Sequence, residues 1–298
     1  MRIRRDRKPF ERMVATDASL DFAALVAQLS GLPFDREQVR NDAANIGLTI
    51  FNDLCRMAEL DRDRFRFETG SYFQTRIFSL NDKEGGNIVA LDRGFDLWLS
   101  SMCLLSAVAT FEVLTDKDFA QLCDQTERML ALFVENSGYD RRCEEMKAYL
   151  VRYAHLLNVS EALSRAMLVF ALCHEIAHHE LGHLTKEASP DMEFEADALG
   201  LRLFLKVFDA GDAARESTFY IDPKVVGAPL ILSHLIELLE TWCVNEDGMS
   251  SADTIRHPAA AQRMARLNPL LRPRLNETAG EALKGFAAGI GDLRKAIC

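Results

Sequence analysis

From residue 95 to 182 apolar positions recur every three or four residues almost without interruption. That spacing predicts four helices, at about 97–113, 116–135, 140–157 and 160–182, with Gly138 as the main breaker. Upstream, residues 19–60 read as two helices separated near Gly31-Leu32-Pro33, the second running from about 36 to 60. The region 61–95 is the only stretch with strand character. Arg76–Leu80, a polar Asn81–Gly86 turn and Asn87–Leu91 read as strand, turn and strand, followed by a helix start near Gly94. Downstream, Ser189-Pro190-Asp191 opens a helix over 190–209, because serine suits the N-cap, proline the first helical position and aspartate the positive helix start. Gly211 and Tyr220–Pro223 mark a loop, helix resumes over 228–244, a polar loop covers 245–256, and an Ala- and Gly-rich helical tail spans 277–297. The fold class is therefore mainly α (α+β), with a small β-hairpin.

At 298 residues the chain forms one large domain or two modest ones, and 48% hydrophobic with 27% charged residues is ordinary for a globular protein. A net charge of −10 argues against general nucleic-acid binding. The first twelve residues hold six basic side chains, which read as a solvated tail or a contact for an acidic partner. Seven scattered cysteines without a Cys-x-x-Cys pair suggest reduced thiols and a cytoplasmic location. No apolar region follows the basic start closely enough to form a signal peptide. The longest uncharged apolar run, Leu97–Phe111, is short for a bilayer and contains three serines, so no membrane span is expected.

The densest chemistry lies at Cys173-His-Glu-Ile-Ala-His-His-Glu-Leu-Gly-His183, which holds four of the seven histidines. His174 and His178, four apart on a helix, project from one face, as two ligands of a single zinc ion must. Glu175 stands where a carboxylate can act as general base on water. A catalytic zinc needs a third protein ligand, and the 190–209 helix offers one. Glu193 can complete a two-histidine, one-glutamate set, and Asp197, four residues on, can accept the Nδ1 proton of a ligand histidine. Ala196 and Gly200 would let the two helices approach closely. His179-Glu-Leu-Gly-His183 is a second, overlapping quartet. Five residues rotate it by about 140° around a helix, so the two pairs cannot serve one ion. Gly182 falls where the helix should end, which favours the first pair.

With these residues the chain resembles the gluzincin metallopeptidases, most nearly those of the HtpX and CAAX-prenyl-protease type. The resemblance rests on His174–His183, on Glu193-Phe-Glu-Ala-Asp197 and on His257-Pro258 followed by Arg263. It implies a zincin-like core with one Zn2+ per chain, ligands His174, His178 and Glu193, His257 facing the metal, and Arg263 helping to hold the site together. It further implies that Ile88, Val89, Ala90 and Leu91 form an edge strand that pairs with an extended substrate. Tyr220 is the alternative to His257 as an oxyanion donor. The membrane helices of that type are missing here, and about eighty residues separate the strand from the zinc helix. Soluble peptidases of the Lit and the ImmA/IrrE type share the His-Glu-x-x-His logic.

The expected organisation is an N-terminal helical region, 1–70, and a metallopeptidase domain, 71–298, with a helical insertion at about 95–160 that selects substrate, regulates or simply fills space. The expected function is a zinc endopeptidase acting on a restricted set of protein or peptide substrates, with room for a regulatory protein partner. The alternative is a zinc-containing sensor of a stress or phage-defence system with little turnover.

Overall fold

The computed structural model describes residues 24, 25, 27–29, 35, 48–70, 77–81, 86–135, 139–210, 223–247 and 258–298. The described chain is mainly helical around one small sheet. A helical segment over 48–57 leads to β1 (Phe65–Gly70), β2 (Ile77–Asn81) and β3 (Asn87–Asp92). Among the described residues eight helices follow: α1 (Arg93–Phe111), α2 (Asp116–Glu135), α3 (Tyr139–Arg152), α4 (Leu157–Glu180), α5 (Pro190–Asp209), α6 (Ala228–Asp247), α7 (Ala260–Leu271) and α8 (Glu277–Ile297). The helices expected from residue 97 onward are present, while those expected over 19–60 lie largely outside the described residues. The pattern did not assign α7, a helix of 12 residues with Pro269 inside it.

The sheet order is β1-β3-β2, with β1 parallel and β2 antiparallel to β3. This corrects the expectation that Ile88, Val89, Ala90 and Leu91 form an edge strand. They lie on the central strand, whose backbone is engaged by both neighbours, and all four are buried. An unbroken apolar run marks a strand covered on both faces, whereas an edge facing solvent alternates or carries charge. Among the described residues, β2 (Ile77–Asn81) is the outer strand on one side of the sheet. The sheet also reaches back across residue 70, since Phe65–Gly70 pairs with Asn87–Asp92 in register.

Helix α4 is the spine of the fold. Leu163, Ala166, Met167, Val169, Leu172, Cys173, Ile176 and Ala177 are wholly or almost wholly buried, so this helix is apolar nearly all round. It packs against α1, α5, α6 and β2. Helix α1 contributes Trp98, Leu99, Met102, Cys103 and Leu105 to the same core, which makes the start of the 95–160 segment a structural element of the core. Gly94–Phe111 and Ala154–Glu180 are long and apolar enough to cross a membrane by length and composition, but most of each is buried inside the fold, as core helices are. Six cysteines, Cys55, Cys103, Cys123, Cys173, Cys243 and Cys298, are free thiols.

Candidate metal centre

Two local features bring the chemistry together. Helix α4 stops at Glu180 because Gly182 adopts a left-handed conformation (φ 65°), which glycine enters without the cost other residues meet. The second quartet is therefore never a helical pair: His183 lies beyond the turn in a short 3-10 segment. Helix α5 then begins at Pro190, with Asp191 and Glu193 in its first turn. Ser189 holds the N-cap position in extended backbone, but its hydroxyl makes no capping hydrogen bond.

Helix α5 lies tightly on α4 because position 200 lacks a side chain. A β-carbon there would stand 3.0 Å from both the Cα and the backbone N of His174. Gly200→Ala should therefore push α5 off the histidine helix and destabilise the fold by about 1–3 kcal/mol, as overpacking does. Gly280→Ala, also helical but with open space around it, should be neutral or stabilising by up to about 1 kcal/mol. Urea unfolding of the two variants reads the difference, and equal midpoints would refute the close-approach account.

The imidazole Nε2 atoms of His174 and His178 lie 3.1 Å apart. The Glu193 carboxylate approaches them at 3.4 Å and 3.6 Å. Two nitrogens and a carboxylate oxygen thus converge, the only group of this kind among the described residues. Tetrahedral zinc, with ligand bonds of about 2.0–2.2 Å, spaces its donor atoms about 3.3–3.6 Å apart. The residues present fit such an ion without rearrangement.

Behind His174 stands a buried charge pair. Its Nδ1 is 3.0 Å from Asp197 Oδ1, and Arg263 on α7 donates to both Asp197 oxygens, Nε to Oδ2 at 2.7 Å and Nη2 to Oδ1 at 2.5 Å. Asp197 is 2% exposed. Burial alone would raise its carboxyl, but Arg263 and His174 outweigh that and hold it below its ordinary range. The Arg266 guanidinium lies 3.5 Å above the Phe194 ring, so α7 grips α5 through two arginines.

Burial also works against charge on His174, yet hydrogen bonds to Asp197 and Glu193 push it up to about 9. Burial and the neighbouring His174 hold His178 down at about 4. The facing imidazoles thus accommodate one proton between them, which a metal ion would displace.

Glu175 follows His174 and takes a hydrogen bond from the Ser79 hydroxyl on β2. Burial pushes its carboxyl up, while His174 and Ser79 offset part of the rise. That serine ties the outer strand β2 to the histidine helix. The motifs alone did not single it out, because a serine in a strand carries no sequence signal. His179 turns the other way, its Nε2 donating to the Ile88 carbonyl at 2.9 Å, with Phe65 edge-on to its ring. It fastens α4 to the central strand and takes no part in the centre. His257 and Tyr220 lie outside the described residues.

Two histidines one helical turn apart and a glutamate from the next helix, with a further carboxylate beside them, form a group that could hold a metal ion. The family comparison agrees in class: the Peptidase U49 model matches residues 117–282, more than half of the chain. The protein belongs to the Peptidase U49 family. No curated protein and no solved structure matches it.

Proposed function

We propose that this peptidase is a zinc-dependent, cytoplasmic endopeptidase that cleaves a restricted set of protein or peptide substrates. The observation that carries the reading is the convergence of His174 Nε2, His178 Nε2 and Glu193 beside Glu175. These three side chains would hold one ion per chain. When bound, zinc supplies Lewis acidity, acidifying water in its open position and polarising a carbonyl. A similar two-histidine, one-carboxylate set also suits iron in oxygenases. The adjoining carboxylate and the membership of a peptidase family favour hydrolysis over oxygen chemistry.

Glu175 is the general base in this reading. Its raised carboxyl sits nearer to neutrality than an exposed glutamate, which suits a group that must accept a proton from water and return it to the leaving amine. Asp197 Oδ1, 3.0 Å from His174 Nδ1, would hold the proton there and leave Nε2 free to ligate, and Arg263 keeps Asp197 ionised. An extended substrate would lie along β2, an outer strand in the order β1-β3-β2, while Ser79 links that strand to Glu175.

Metal analysis tests the reading. Purified wild type should carry close to one zinc per chain and little iron, and Glu193→Ala should lose most of the zinc. Full retention by the variant would remove Glu193 from the ligand set.

A further inference from the structure

Resting on the zinc reading above, we infer that His183, backed by Glu195, is a positioning residue that sets the tautomer and orientation of His178. The left-handed turn at Gly182 folds the chain back, so that His183 comes beneath the histidine helix with a side chain only 2% exposed. Its Nδ1 lies 3.1 Å from His178 Nδ1, and its Nε2 lies 3.0 Å from Glu195 Oε2. The rings are nearly perpendicular, with centroids 5.2 Å apart.

Only one arrangement of protons satisfies this chain with His178 ligating through Nε2. His178 must then carry its proton on Nδ1 and donate it to His183 Nδ1. His183 can accept there only if its own proton is on Nε2, where it donates to the Glu195 carboxylate. The contacts observed at 3.1 Å and 3.0 Å are the two that this arrangement requires.

The centre therefore has two supporting arms, and both pass through a carboxylate of helix α5. His174 is held by Asp197 and then Arg263, whereas His178 is held by His183 and then Glu195. The arms are unequal. Asp197 is a buried carboxylate in direct contact with its histidine, while Glu195 is 63% exposed and acts through a neutral ring. The His183 arm should orient its ligand strongly and polarise it weakly, since water screens the terminal charge. The arrangement also explains the fifth position after His178: a helical continuation would carry His183 well away from His178 around the helix axis, and only the glycine turn brings it back.

Zinc dissociation constants, measured by competition with a chromophoric chelator, test the inference. His183→Leu should weaken zinc binding about 10- to 100-fold, the usual effect of losing a ligand histidine's partner. His183→Asn, whose Oδ1 can replace the lost acceptor, should stay within about threefold of wild type. Glu195→Ala should fall between them. A folded His183→Leu protein with wild-type affinity, or Leu and Asn variants equally weakened, would overturn the positioning role. A long-range 1H–15N spectrum of the zinc-loaded wild type needs no variant to fold. It should show His178 protonated at Nδ1 and His183 at Nε2, and His183 protonated at Nδ1 instead would overturn the inference. Absence of stoichiometric zinc from the wild type would defeat the proposed function itself, and this inference with it.

Discussion

Glu175→Gln should lower peptide hydrolysis by about 10²- to 10⁴-fold while the protein keeps its zinc. Glutamine matches glutamate in size and can still accept the Ser79 hydrogen bond, so the fold and the His174–His178–Glu193 set should be undisturbed. What it lacks is a site that binds a proton. Because burial raises the Glu175 carboxyl, the acid limb of kcat/KM in the wild type should lie above the ordinary carboxylate range. Metal content and turnover of one purified batch decide the matter together. Unchanged turnover would remove Glu175 from the chemistry. Loss of zinc along with activity would assign it to the structure of the site. The sensor alternative predicts no turnover in either protein and intact zinc in both.

The second large effect is expected at Arg263. Arg263→Ala leaves the Asp197 carboxylate 2% exposed and without its bidentate partner, beside a histidine that must stay neutral to bind metal. Removing one member of a buried pair costs about 3–5 kcal/mol, because the remaining charge is uncompensated. The melting temperature should fall by roughly 6–15 °C. Arg263→Lys should recover only part of this, since an ammonium cannot reproduce the two parallel hydrogen bonds. A double variant, Asp197→Asn with Arg263→Met, should be more stable than Arg263→Ala alone, because it no longer buries an unpaired charge. If the double variant is the less stable protein, then packing of the arginine stem outweighs the electrostatics.

Much of the centre was legible before any coordinates, and the reasons are local. Helical periodicity is a property of neighbours a few residues apart, so Pro190–Asp209 and Glu277–Ile297 could be read with their bounds almost correct. The pairing of His174 with His178 follows from the pitch of one helix, and that of Glu193 with Asp197 from the pitch of another. The value of Gly200 could be anticipated because a small residue four positions after Ala196 suggests a close crossing, although its partner, the backbone of His174, could not be named.

The errors and omissions share one feature. Ile88–Leu91 were expected at an edge because their hairpin resembles the substrate-binding edge hairpin of the gluzincin family. Phe65–Gly70, twenty-two residues earlier in register, pairs on the other side and makes that strand central. His183 was expected either beside the ligands or at the surface, and only the path of the chain after the Gly182 turn brings it to His178. Helix α7, short and carrying Pro269 inside it, was not drawn, yet it delivers Arg263 to Asp197 across sixty-six residues.

The sequence by itself determined which side chains share a helix face, and hence the two histidines, the glutamate and the aspartate of the centre. Only the tertiary structure decided which strand lies at the centre of the sheet, that Ser79 meets Glu175, and that His183 supports His178. The first kind of relation is set by backbone pitch over a single turn. The second depends on the close packing of segments distant in sequence, which no local periodicity encodes.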